Sequence, residues 1–138
     1  MNKDVSIRIS GIHGTGADRN TVVSEYSGMY FERNDKKYLK YSETDAETGE
    51  VRNSMIIIDG RNVTVEHKGC TDAKMIYEIG NTTRSMYVTS AGSMLIEIYT
   101  SRIEIEERGN RLSIVIDYEM GFGEGEKQPA RISIEAKN

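Results

Sequence analysis

The chain contains no tryptophan, one proline, one cysteine and two histidines in 138 residues. Each shortage removes a class of protein. A lone Cys70 cannot form an intrachain disulfide, and small secreted domains lean on cystine frameworks, so a reducing, cytoplasmic setting is expected. No run of 18 apolar residues occurs, and Met1-Asn2-Lys3-Asp4 passes straight into Val5-Ser6-Ile7-Arg8-Ile9. Neither a membrane span nor a signal peptide is therefore expected. Positive charge is nowhere concentrated: 18 basic and 22 acidic side chains are mixed along the chain, for a net charge of −4. Phosphate backbones are bound by clustered Lys and Arg, so a nucleic-acid partner is not expected either.

What is present is alternation. Val5, Ile7 and Ile9 share one parity, Leu112 through Met120 alternate over five positions, and Ile132, Ile134 and Ala136 close the chain in the same style. A period of two marks half-buried strands. Strands are predicted at about 4–13, 21–33, 36–44, 51–59, 62–68, 73–79, 84–89, 92–106, 110–121 and 129–137. The segment Asp72–Ile79 also suits a short helical turn. Short links at Asn34-Asp35, Asp59-Gly60 and Gly109-Asn110 separate neighbouring runs, as hairpins do. Longer polar links lie at Thr44–Gly49 and Gly121–Gln128, and Pro129 sits just before the last strand. Within 92–106 the apolar parity changes from Met94, Ile96 and Ile98 to Ile103 and Ile105, which predicts a bulge near Tyr99–Arg102. Sequential hairpins without helices favour closure, because closure removes exposed edges. The expectation is one all-β domain over residues 1–138, an antiparallel up-and-down meander closed into a barrel of about 8–10 strands.

Chemical signatures are few. His67 and Cys70 lack the third and fourth ligands a metal site needs, so they read as an edge-of-strand imidazole and a small buried thiol. His13 lies in Gly11-Ile12-His13-Gly14-Thr15-Gly16, read as a flexible hairpin tip, since no helix follows to complete a phosphate cradle. Gly121-Phe122-Gly123-Glu124-Gly125 fails the dinucleotide pattern for the same reason. No Gly-x-Ser-x-Gly elbow occurs. No catalytic residue, metal site or cofactor is therefore expected, and the chain reads as a non-enzyme. An enzyme would need a constellation such as His67 meeting a carboxylate across the barrel. The compositional oddity is eight tyrosines and seven methionines. Inside a barrel, Tyr30, Tyr41, Tyr77, Tyr99, Tyr118 and Met94 are the candidates to line a pocket, offering flat faces, hydroxyl anchors and adaptable thioethers. The same residues equally suit a filled core with cross-strand aromatic pairs.

Three stretches carry a resemblance over nearly the whole chain. They are Ser27-Gly28-Met29-Tyr30-Phe31 with Tyr38–Glu43, Thr89–Met94 running into Thr100–Ile105, and Leu112-Ser113-Ile114 with Asp117–Met120. In order and spacing they resemble the YwiB-like family of small bacterial proteins, which has no assigned reaction and is related by fold to lipocalins and fatty-acid-binding proteins. The resemblance implies a calycin-type, lipocalin-like barrel. It also places Arg131 near the lipocalin arginine that covers a Gly-x-Trp signature, and this chain has no tryptophan. The functional expectation is a bacterial, cytoplasmic barrel that binds a small, partly apolar ligand in its interior. The alternative is an interaction or scaffold module acting through its outer surface as a homo-oligomer, with a homodimer the simplest form.

Overall fold

The computed structural model describes residues 3–14, 20–122 and 126–138. The chain runs through β1 (Lys3–His13), β2 (Asn20–Arg33), β3 (Lys36–Thr44), β4 (Val51–Asp59) and β5 (Asn62–Gly69). It continues through β6 (Thr71–Tyr77), β7 (Thr82–Thr89), β8 (Gly92–Arg108), β9 (Arg111–Phe122) and β10 (Gln128–Lys137). Every strand pairs antiparallel with its sequence neighbours, and β1 pairs with β10 to close the barrel. The expected meander is therefore the observed fold, with ten strands.

The turns explain the registers. Asn34 and Asp35 both take the left-handed backbone, at φ 52° and 63°, between the paired Arg33 and Lys36. Two positive φ angles in a two-residue loop make a type I′ hairpin, whose twist matches that of the strands. The next hairpin is shifted by one residue from the Asp59-Gly60 link read in the sequence. Asp59 pairs with Asn62, leaving Gly60-Arg61 as the loop with Gly60 at φ 61°. A glycine in the first position suits the II′ turn, and Gly109 plays the same part at φ 59° before Asn110. The segment Asp72–Ile79 resolves as strand as far as Tyr77, not as a helical turn: β6 pairs with β5 from Val63↔Tyr77 to His67↔Ala73, and Ile79 makes only an isolated bridge to Thr100. Pro129 lies inside β10 opposite Glu119, one residue from its start.

The parity change in β8 is a bulge. Thr100 pairs with Tyr118 and Arg102 with Asp117, so Ser101 has no partner across the ladder. The extra residue returns Ile103 to the inward face, where it is buried beside Ile98 and Thr100. One seam is much thinner than the others. Between β6 and β7 the register holds only at Thr71↔Thr89 and Asp72↔Val88.

Inward positions divide the barrel into two halves. In one, Ile7, Leu39, Ile58, Val63, Ile103, Leu112, Ile114 and Ile116 fill the lumen, nearly all of them sealed from solvent. Burying each such side chain contributes about 1.5–3 kcal/mol, so this plug is the main source of stability. Gly28 on β2 lets the strands close there. A Cβ at that position would lie 2.5 Å from the Lys40 carbonyl oxygen and 2.6 Å from Ile7 Cδ1. In the other half the inward positions carry Tyr, Met, His and Arg among small residues such as Gly11 and Ser24, and the lumen stays open.

Candidate functional site: the barrel chamber

The open half holds a chamber of about 480 Å³, within the range of small-molecule sites. Its floor is aliphatic, made by Ile56, Val65, Ile96 and Ile134 at the top of the plug. Its walls are Tyr26, Tyr41, Met75, Tyr77, Tyr87, Tyr118, Met120 and Ile132. At the mouth Val22, Met94 and Phe122 line the chamber while remaining 53%, 48% and 50% exposed, so the entrance is rimmed by apolar side chains. Tyr77 and Tyr118 meet edge to face at 5.0 Å and 73°, and Tyr26 stacks on Tyr41 at 4.5 Å and 24°. These pairs fix flat walls in place.

One side of the chamber is polar. Tyr26, Tyr41, Arg52 and His67 line it, with Glu43 and Ser54 as their hydrogen-bond partners, and all six arise from inward parity on β2 to β5. Arg52 Nε donates to Glu43 Oε2 at 2.5 Å, Arg52 Nη2 pairs with the same oxygen, and the Tyr26 hydroxyl donates to Glu43 Oε1. Burial alone would push the Arg52 pKa down, but Glu43 outweighs it and holds the guanidinium more firmly charged than usual. Beside this pair, Ser54 Oγ and His67 Nδ1 lie 2.7 Å apart, both buried. Burial, then the neighbouring Arg52 charge, pushes His67 down to about 4, with Glu43 opposing weakly, so its imidazole is neutral near pH 7. Burial also pushes the Tyr41 hydroxyl up to about 12, partly offset by Ser54. Tyr77 is raised well above the usual phenol value, by burial first and Tyr118 second. The hydroxyls of this wall are therefore neutral donors and acceptors.

Of the six residues selected from the sequence, Tyr41, Tyr77, Tyr118 and Met94 line the chamber. Tyr30 does not. It sits at the opposite, plugged end, lining a hollow of about 130 Å³ with Lys3, Glu32 and Glu107, and donates to Glu32 at 2.5 Å. Tyr99 lies between the buried Ile98 and Thr100 and so takes the outer face of β8, opposite Thr82 and Glu119. His67 is a buried, chamber-facing residue rather than an edge imidazole, and Cys70 is partly exposed in the link after β5. The hydrogen bond of His67 runs to Ser54, not to a carboxylate, and Ser54 itself does not line the chamber. His13 ends β1 and lines the chamber, whereas Thr15-Gly16 of that glycine-rich stretch lie outside the described residues. The same holds for Gly123-Glu124-Gly125. Among the described residues no three His, Cys, Asp or Glu side chains converge on a metal position. Arg131 sits on the outer face of β10 and pairs with Asp117 at 2.6 Å.

Sequence reasoning missed Tyr26, Glu43, Arg52, Ser54 and His67 as a group. The available signal was phase: Arg52 and Ser54 share the parity of Ile56 and Ile58, and His67 that of Val63 and Val65. Polar residues in step with an aliphatic stripe point inward.

No curated protein matches the chain. The crystal structure of ywiB protein from Bacillus subtilis matches with a TM-score of 0.87 at 18% identity, covering 99% of this chain and 92% of that one. At that identity the likeness concerns the fold. The family model described as Domain of unknown function (DUF1934) matches residues 7–134, and the chain belongs to this family.

Proposed function

We propose that the protein is a bacterial, cytoplasmic, non-enzymatic binding barrel that holds a small, partly apolar molecule in its chamber. The observation that carries this reading is the half-filled lumen. A plug of isoleucine, leucine and valine ends at an aliphatic floor, and above it about 480 Å³ is walled by tyrosine and methionine with one polar side. Such sites combine apolar walls with a few placed polar groups that set orientation. The non-enzymatic reading is supported by the polar side itself. Its imidazole is a weak base near pH 7, and the one hydroxyl bonded to it is screened from the chamber.

Native mass spectrometry of gently purified protein tests the reading. A defined added mass is expected, and it should disappear in Met120→Trp, where the larger ring occupies the lumen, while far-UV circular dichroism stays unchanged. A ligand-free mass under every gentle condition, together with no uptake of an uncharged naphthylamine dye, sinks it.

A second reading has its own observation. On the outer face of the β7–β8 hairpin, Met86 pairs across the ladder with Leu95, and with Val88 these side chains are 48%, 41% and 39% exposed. An apolar strip on an otherwise charged surface suits homodimerisation or another protein contact. Light scattering decides it: a strict monomer at high concentration, unchanged in Met86→Lys, removes this reading.

A further inference from the structure

The polar side of the chamber also constrains the charge of what enters, provided that the chamber binds a ligand at all. Among the described residues, Arg52 is the one lining it that carries a permanent charge, and that charge is already matched. Its partner Glu43 has both oxygens engaged, Oε1 by Tyr26 and Oε2 by Arg52. About a quarter or less of each side chain of the pair remains exposed. What the wall still offers is neutral or singular. Among the described residues, Arg52 Nη1 and His67 Nε2 carry no hydrogen bond, since Arg52 uses Nε and Nη2 and His67 uses Nδ1.

Three candidate end groups can be weighed against this wall. A carboxylate or phosphate would be buried beside the Arg52–Glu43 pair with no free countercharge among the described residues, because the Arg52 charge is spent on Glu43. An ammonium would find no carboxylate lining the chamber among the described residues and would face the Arg52 charge directly. Taking an ion from water without a matching partner is costly, and a compensated pair repays little of that cost. An uncharged hydroxyl or amide meets no such penalty. Its oxygen can accept from Arg52 Nη1–H, and it can exchange a second hydrogen bond with His67 Nε2, as either donor or acceptor according to the tautomer. The rest of the molecule then lies against Met75, Tyr87, Tyr118 and Met120 above the aliphatic floor. We propose that the chamber selects uncharged amphiphiles, with a hydroxyl or amide end on an apolar body, over the carboxylate and the amine of the same skeleton.

Matched ligands test this. Isothermal titration calorimetry at pH 7.5 with 1-decanol, decanamide, decanoate and decylamine should show the two neutral compounds binding at least tenfold more tightly than either ion. Decanoate binding as well as decanol overturns the proposal and makes the chamber an anion site. No binding of any of the four, together with failure to take up the naphthylamine dye, instead removes the chamber reading on which the proposal rests. A second measurement uses Glu43→Gln, which leaves the Arg52 charge unmatched at unchanged shape. The preference should swing toward decanoate by tenfold or more in this variant, with the fold checked by circular dichroism. An unchanged order of affinities in folded Glu43→Gln also overturns the proposal. The wild-type comparison stands by itself should the variant not fold.

Discussion

His67 ties the stability of the barrel to pH in a way that can be worked out in advance. In the unfolded chain its imidazole titrates near the ordinary 6.5, and in the barrel burial and the Arg52 charge push it down to about 4. A depressed histidine favours the neutral form in the fold. Its contribution is therefore complete above pH 6.5 and is lost as protons bind the unfolded chain on the way down to pH 4. The total is about 3 kcal/mol, falling at about 1.4 kcal/mol per pH unit in the middle of the window. That is a large share of the 5–15 kcal/mol typical of a domain. Because the chain has no tryptophan, urea unfolding is best followed by far-UV circular dichroism, at half-unit steps from pH 7.5 to 4. The reference is His67→Gln, which does not titrate. Carboxylates such as Asp117, held low by Arg131 and Arg102 against a partial opposing burial, change the stability of both proteins alike and cancel in the difference. The gap between the two proteins should shift by about 3 kcal/mol against the wild type across the window. Parallel curves would refute the reasoning, because they would mean that His67 titrates as freely in the barrel as in the unfolded chain.

Three further outcomes follow from the packing. Thr100 is completely buried and its Oγ1 has no partner among the described residues; Thr100→Val should raise urea stability by about 1–2 kcal/mol, and a loss would mean that the hydroxyl is satisfied. Gly28→Ala places a methyl group against the Lys40 carbonyl and Ile7, and should lower the midpoint of thermal unfolding by an amount equivalent to at least about 2 kcal/mol; an unchanged midpoint would contradict the close approach of β2 and β3. Ile114→Ala in the plug should cost about 2–5 kcal/mol while leaving dye uptake by the folded protein within twofold, since Ile114 does not line the chamber.

Most of the fold was legible because strands carry a strict period of two. The bulge at Ser101 could be placed from the shift of Ile103 and Ile105 against Met94, Ile96 and Ile98 alone. Tyr99 shows the same rule left unused: an odd position among inward even ones had to face outward. Tyr30 shows what the rule cannot supply. Alternation assigns a side chain to the inner or outer face, but its height along the barrel axis depends on strand tilt and on registers such as Gly28↔Tyr41. For the same reason Tyr26 reaches the chamber and Tyr30, two periods of the alternation further along β2, does not. The pairing of Arg52 with Glu43 across β3 and β4 was hidden similarly, although both residues stand in phase with buried neighbours.

The thin seam between β6 and β7 gives the ring a clasp. Every other pair of neighbouring strands registers over at least five residues, whereas these two register at Thr71↔Thr89 and Asp72↔Val88 only. Local opening takes the route that breaks the fewest backbone hydrogen bonds, so amides of β6 and β7 facing this seam should exchange with deuterium well before those of β9. Met75 and Tyr77 on one side of the clasp, and Tyr87 on the other, belong to the chamber wall. Unfastening it therefore bares the interior through the side of the barrel, with the plug intact. For the ligand proposed above, the rate of release would then be set by the clasp, independently of how tightly the chamber walls bind it.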